Sequence, residues 1–336
     1  MKACILGAGW YGCHAALVLQ RLGVSVTILD REGIFAGASS KNQNRLHRGY
    51  HYPRSIETIE ECRTGHGKFL ASYGDCVTAF PQNYYLIHKD SKVSLDAYRE
   101  IFRGWSHTEH PISELGMRAE NIEAIMFAVD EKFIDSGAAK KRMERDLASV
   151  LMLQDSPRIE IRDSDILVDG VSYDFVLNCT NNQYVPVPIP YSPTYETVAS
   201  FLYTATDSPF PRGLTLMDGP FFSLFPYDIT QKVYTLTHVV HSVLARGPVG
   251  NEVRCDIDDA RAAAEADVRK VFPTLLDGLV YTGYFTSKKT KYEFVTDDRS
   301  IRTFRQGRYL SVSGGKITGI FEMEPILRKM LEDSQM

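Results

Sequence analysis

The spacing of apolar and polar residues changes character along the chain, and its first 30 residues are the most legible. Ala3 to Leu6 is a short unbroken apolar run, the pattern of a strand buried on both faces in a parallel sheet. A glycine turn follows. Beyond it, Ala16, Leu19 and Gly23 share one helical face, and Gly23 is a natural stop because glycine accepts the left-handed conformation at a helix C-terminus. Val24 to Leu29 predicts a second strand, ending at Asp30. Strand, helix and strand in this order make a βαβ unit, which joins parallel strands.

Further along, Asp135 and Ser136 are N-cap candidates before a helix with Ala139, Met143, Leu147 and Val150 at helical spacing. Arg158 to Arg162 and Tyr173 to Cys179 read as strands, the second of the buried parallel kind. Between residues 195 and 243, segments such as FFSLFPY and VYTLTHVV are rich in Thr, Tyr, Phe and Val and are separated by Pro, Gly and Asp. They predict antiparallel strands in a mainly β region. Ile257, Ala260, Ala264, Val268 and Val271 give one more helix, stopped by Pro273. Tyr309 to Ser313 predicts a late strand, then Gly314-Gly315 and a helical tail through Ile317, Ile320, Phe321 and Leu327 that Pro325 kinks or restarts.

Composition narrows the class. The 336 residues make one large domain or two intimate ones, and 44% hydrophobic with 24% charged residues is the balance of a globular chain. A net charge of −4 gives no overall attraction to nucleic acid or anionic membrane. The apolar run Ala15 to Leu19 falls far short of the roughly 20 residues of a spanning helix. Gly7, Gly9 and Gly12 break the opening apolar stretch before it reaches the length of an export signal, so a cytoplasmic protein is expected. Cys4, Cys13, Cys62, Cys76, Cys179 and Cys255 form no CxxC pair and no metal-type spacing, so reduced thiols and no metal are expected.

The candidate chemistry begins at Gly7-x-Gly9-x-x-Gly12, which follows the first strand directly and opens the first helix. Gly7 permits the tight turn, Gly9 removes a side chain where a pyrophosphate approaches, and Gly12 lets helix and strand pack closely. The helix N-terminus offers free N–H groups and a positive dipole end to the phosphates. Asp30, with Arg31 beside it, closes the second strand where a carboxylate accepts from a ribose hydroxyl pair. These features serve FAD and NAD equally.

The next segment, Ala36 to Pro53, is more particular. Gly37, Ala38, Ser39 and Ser40 lead into amides, including Asn44, and then Arg45, a donor-rich lining suited to a second approach to a pyrophosphate. His47, Tyr50, His51 and Tyr52 follow, a concentration of titratable and aromatic groups rarely needed for packing. Two look-alikes fail on context: Gly315-Lys316-Ile317-Thr318 lacks the upstream glycine and adjacent hydroxyl of a P-loop, and Tyr284-x-x-x-Lys288 lies in a region that does not read as a helix.

On these residues the chain resembles the D-amino-acid oxidase (DAO) superfamily of FAD-dependent oxidoreductases, which includes glycine oxidase and the glycerol-3-phosphate and L-2-hydroxyglutarate dehydrogenases. Ser39 to Pro53, with its His47-Arg48-Gly49 unit, looks like that family's second flavin-contacting stretch. Tyr173 to Thr180 is similar to its late strand near the adenosine, and Ser311-Val-Ser-Gly-Gly-Lys-Ile-Thr318 to its C-terminal glycine loop at the flavin pyrimidine ring. Two departures stand out: Asp30 replaces the commoner Glu, and Asn181-Asn182 stand where a glycine is expected.

The resemblance implies FAD as cofactor and hydride transfer to flavin N5 from a C–H bearing an amine or hydroxyl in a small compound, expected to be an acid, with oxygen or another acceptor reoxidising the flavin. There is no second glycine motif for a pyridine nucleotide. Gly314, Gly315 and Lys316 are expected at the flavin C2=O, where N–H groups, a helix dipole and an ammonium stabilise negative charge. His47, then His51, are the candidate bases for a hydroxyl substrate, since imidazole titrates near neutrality. An amine bound neutral needs no base. Arg302, then Arg299, are the candidates to pair with a substrate carboxylate, against a plain salt bridge to Asp297 or Asp298. His238 and His241 alternate with apolar residues and read as core or rim histidines.

The expected fold is therefore α/β: a Rossmann-like FAD-binding domain with a parallel sheet, drawn from residues 1–55, 135–190 and 300–336. A mainly antiparallel β substrate domain comes from 56–134 and 191–299. Thr180 closes the FAD set. An NAD-dependent dehydrogenase and a non-catalytic dinucleotide-binding protein are the rivals, a small molecule is the expected partner, and oligomeric state is not legible.

Overall fold

Strand β1 (Lys2–Leu6), helix α1 (Trp10–Arg21) and strand β2 (Ser25–Asp30) form the opening βαβ unit of the chain in a computed structural model. The model describes residues 1–79, 82–128, 131–190, 193–206, 212–248, 253–291 and 301–333. Gly23 adopts φ +77° just past α1, as its place in the pattern requires. Two glycines of the turn have no substitute. Gly7 takes φ +97°, and a Cβ on Gly12 would lie 1.9 Å from the Gly7 carbonyl oxygen.

β1 and β2 lie inside a six-stranded sheet whose order is Arg302–Gln306, Tyr309–Ser313, Phe175–Asn178, β1, β2, Leu151–Leu153. Every neighbouring pair is parallel except the first, which is an antiparallel hairpin. Phe175, Val176 and Leu177 are fully buried opposite Ala3, Cys4 and Ile5, which explains their continuous apolar pattern. α1 covers one face with Ala15, Ala16, Val18 and Leu19, and Trp10 packs on Phe35 at 4.6 Å and on Phe69 of helix α2 (Ile56–Tyr73). Truncating a residue as enclosed as Leu19 to Ala costs about 2–5 kcal/mol.

The second large sheet has ten strands among the described residues. It is antiparallel as its Thr- and aromatic-rich pattern predicts, with one exception: Gly213–Met217 runs parallel to Asn83–His88. Leu86, Phe201, Leu214 and Leu236 pack it against the helix Ile257–Val271. A small sheet pairs Arg45–Leu46 with Lys132–Ile134, which also pairs with Val77–Ala79.

Several boundaries depart from the pattern. The helix capped by Asp135, whose carboxylate accepts from the Ala138 N–H, ends at Leu147, and Val150 leads into the edge strand instead. Ile159–Ile161 joins a separate three-stranded antiparallel sheet. No α-helix follows Gly314-Gly315: a 3₁₀ turn spans Thr318–Glu322 and the α-helix starts only at Met323, with Pro325 in its first turn. The dipole expected at Gly315 is therefore not there, because Pro325 fits the start of a helix and not its middle. No helix among the described residues is long and apolar enough to cross a membrane.

Candidate active site

The glycine loop is fastened by Asp30. Its Oδ2 accepts from the Ala8 N–H at 2.7 Å, and its Oδ1 from the N–H groups of Glu32 and Gly33, each at 2.8 Å. A carboxylate has about four acceptor positions, so a sugar hydroxyl still finds a lone pair there. Arg31 points to solvent and pairs with Glu32. At the start of α1, Ser39 Oγ accepts from the Trp10 N–H at 3.0 Å and stands 2.9 Å from where a Gly9 Cβ would be. Ser40 bonds its hydroxyl back to the Phe35 carbonyl, and Asn44, at φ +52°, donates to Ser136.

Asn181 and Asn182 explain their departure from glycine. Both hold positive φ, +53° and +56°, a conformation asparagine tolerates better than other side chains. Their side-chain oxygens accept from Ser313 and Ser311 on the neighbouring strand, at 2.6 and 2.7 Å. Thr180 donates to Asn178 at 2.6 Å, and its N–H lies 3.2 Å from where a Gly7 Cβ would be.

The two expected catalytic histidines lie together, with Tyr52 and Lys316 beside them. The rings of His47 and His51 stack 6.2 Å apart, Tyr52 lies 5.3 Å from His47 and 5.0 Å from His51, and Lys316 Nζ sits 2.9 Å from the centre of the Tyr52 ring. Lys316 is 8% exposed, and no carboxylate among the described residues comes within ion-pair distance of it. Burial pulls its pKa well below the ordinary lysine value. Burial also lowers His47, with Lys316, His51, Arg45 and His66 adding to the effect, so its imidazole is neutral at pH 7. Its Nδ1 is buried without a hydrogen-bond partner.

Above this group, Arg45 reaches the ten-stranded sheet. It donates to Thr215 at 2.6 Å and to Ser223, and its guanidinium lies 3.9 Å from the Phe225 ring centre. Beside it is Glu131, 3% exposed, which sequence reading missed because it stands in an acidic stretch that looks solvated. Tyr11 was missed too: its hydroxyl donates to the Lys316 carbonyl at 2.8 Å. Arg302 opens the edge hairpin opposite Ser313, and no described contact brings it to His47. Arg299, Asp297 and Asp298 lie outside the described residues.

These residues fit FAD on their own chemistry. There is a glycine cradle at a helix N-terminus, a carboxylate beside it, a buried lysine with no carboxylate partner among the described residues, and a neutral histidine with an unused nitrogen. The model of the DAO family, FAD dependent oxidoreductases, matches residues 2–297. The chain belongs to the DAO family. The family's cofactor, FAD, is thereby this chain's cofactor, as the resemblance implied.

Its relatives include the FAD-dependent monooxygenase FPY4 of Fusarium mangiferae, 32% identical over 342 residues that cover 98% of this chain and 90% of that one. The FAD-dependent monooxygenase kojA of Aspergillus flavus is 26% identical over 95% of this chain and 83% of the relative. Among solved structures, glycine oxidase from Geobacillus kaustophilus superposes with a TM-score of 0.74 at 12% identity, covering 99% of this chain and 95% of that one. L-alpha-glycerophosphate oxidase from Mycoplasma pneumoniae with FAD bound gives 0.71 at 14% identity, with 100% and 94% covered. At such identities the structures speak for the fold.

Away from this site, His238, His241 and Asp267 bring their ligand atoms within 4.8 Å. Two backbone N–H groups, of Val240 and His241, donate to His238 Nδ1, which leaves the proton on Nε2, and Lys270 already pairs with Asp267 at 2.7 Å. His241 Nε2 bonds Asp267 at 2.9 Å, His238 Nε2 is 3.4 Å from the same carboxylate without a hydrogen bond, and burial together with His241 pushes His238 down to about 4. All six cysteines are free, and burial pushes Cys4, Cys62 and Cys179 up to about 12, so these three stay as inert thiols.

Proposed function

We propose that the site bordered by His47, His51, Tyr52 and Lys316 oxidises a small hydroxy or amino compound by hydride transfer to FAD, a hydroxyl donor being the better fit. His47 carries this reading: a neutral imidazole, buried beside the lysine with an unpartnered Nδ1, is the group that a hydroxyl substrate needs and an amine does not. Bound there, FAD supplies a two-electron acceptor at N5. His47 takes the hydroxyl proton, the C–H carbon gives up its hydride, and the product is a carbonyl. Lys316, brought next to negative charge, regains its proton and holds that charge. Arg302 remains a candidate for an acidic group of the substrate, and O2 or another acceptor closes the cycle. In this reading residues 1–55, 135–190 and 300–336 hold the flavin, and 56–134 and 191–299 shape the substrate side.

The test is anaerobic mixing of the yellow protein with a panel of hydroxy and amino acids and their neutral analogues. Bleaching by hydroxy compounds is expected, and a flavin that no hydroxy or amino donor reduces sinks the proposal. The names of the fungal relatives favour a second reading, insertion of one atom of O2 into the substrate, the other leaving as water with two electrons from a diffusible reductant such as a reduced nicotinamide. Turnover under ¹⁸O2 separates the two, because an oxidase leaves the label in peroxide or water and a monooxygenase puts it in the product.

A further inference from the structure

Glu131 is deeply buried and fully engaged, yet none of its partners is a cation. Its Oε1 accepts from the Arg48 N–H at 2.9 Å, and its Oε2 accepts from the Asn83 amide at 2.6 Å and the Tyr85 hydroxyl at 2.8 Å. Arg48 is the middle residue of His47-Arg48-Gly49, so this carboxylate grips the backbone right beside His47. Gly49 locks the same turn from the other side: it holds φ +115°, and a Cβ there would come within 3.1 Å of the Ile59 backbone in α2.

The charges nearby are unbalanced without Glu131. Arg45 bonds neutral hydroxyls, those of Thr215, Ser223 and Tyr85, and no carboxylate among the described residues forms an ion pair with it. Glu131 acts on Arg45 through space, and Arg45 acts back on Glu131. Thr215, Ser223 and Tyr85 stand side by side across three adjacent strands, so one row of the sheet holds a donor to Glu131 and the acceptors for Arg45. Burying an ionised carboxylate costs folding free energy even when it is hydrogen-bonded, and all three partners of Glu131 are donors, which an amide could satisfy only through its one oxygen.

We propose that Glu131 is a positioning residue of the active site: its carboxylate fixes the backbone beside His47 and supplies the negative charge that balances Arg45, so tuning how strongly the site favours a reduced, anionic flavin. This rests on the reading of the site as an FAD-dependent one. Arg45 and Lys316 would otherwise make the flavin surroundings more positive and its reduction easier.

Glu131→Gln keeps the shape and an acceptor for the Arg48 N–H while removing the charge. The flavin midpoint potential, measured by equilibration with reference dyes and so without any substrate, is expected to move positive, the reduction equilibrium changing about tenfold. A carboxylate that serves only as scaffolding leaves the potential unchanged, and that result overturns the proposal. Tyr85→Phe covers the case in which Glu131→Gln does not fold. Losing one donor lets Glu131 take up a proton more readily, so the potential should rise above that of the wild type as pH falls, and a potential that tracks the wild type at every pH overturns the proposal. A wild-type chain that takes up no FAD overturns the functional reading as a whole. A flavin-loaded wild type with an unmoved Glu131→Gln overturns this inference alone.

Discussion

The phenol of Tyr11 donates a 2.8 Å hydrogen bond to the carbonyl of Lys316, tying the first turn of α1 to the loop after the last strand of the parallel sheet. Gly314 makes room for it, since a Cβ there would lie 2.0 Å from the Tyr11 oxygen. Tyr11→Phe should cost about 1 kcal/mol in chemical denaturation, the net worth of one hydrogen bond. Gly314→Ala should cost more, about 1–3 kcal/mol, and should also weaken FAD retention on desalting, because the ring is forced out of its place. Retention equal to wild type in Gly314→Ala would remove this contact from the cofactor site.

His47→Ala should slow flavin reduction by about 10²–10⁴-fold, the range of a lost general base, and leave FAD affinity within a few-fold of wild type. Stopped-flow bleaching and fluorescence titration read the two separately. Reduction at the wild-type rate would discard the base role.

Lys316 is held below its ordinary pKa by burial alone, so a negative charge arriving beside it should bring a proton with it. Reducing the bound flavin should therefore take up more protons in the wild type than in Lys316→Met, as a pH-indicator dye in weak buffer would show. Lys316→Met should also lower the flavin potential. Equal proton uptake in both proteins would mean that the lysine is already charged before the flavin is reduced.

Acid stability follows from His14. Burial, with help from Arg21, pushes it down to about 4, whereas an unfolded histidine titrates near 6.5. The unfolded chain therefore binds the extra proton, and stability is lost as pH falls from 6.5 toward 4, by about 3 kcal/mol at most for this group. His14→Phe, which keeps a ring against Phe321 at the expense of the Tyr73 bond, should flatten the fall in urea midpoint across that window. An unchanged slope would show that His14 does not titrate there.

How much of this was legible beforehand differs by kind of interaction. The glycine turn, Asp30 and the His47 segment could be read because close backbone approach and local clusters leave marks in adjacent residues. The late strand Tyr309–Ser313 was equally readable from its continuous burial. Glu131 was not, since only its strand partners Asn83 and Tyr85, far away in the chain, make it a buried group. The helix expected after Gly315 failed because Ile317, Ile320 and Phe321 satisfy a helical period equally well when wound as a short 3₁₀ turn ahead of Pro325. Asn181 and Asn182 looked like a departure only while their backbone conformation was unknown.

The strand order has one more consequence, for synthesis. Phe175–Asn178 has β1 on one flank and Tyr309–Ser313 on the other, so a growing polypeptide must emerge past residue 313 before that row of amides is covered. Until then the nascent half-sheet offers a sticky apolar ledge to its neighbours, and pairings this remote in sequence form late. Ribosome-bound fragments stopped short of residue 309 should accordingly lean on chaperones and remain protease-sensitive, with resistance arriving abruptly once the closing segment is free of the exit tunnel.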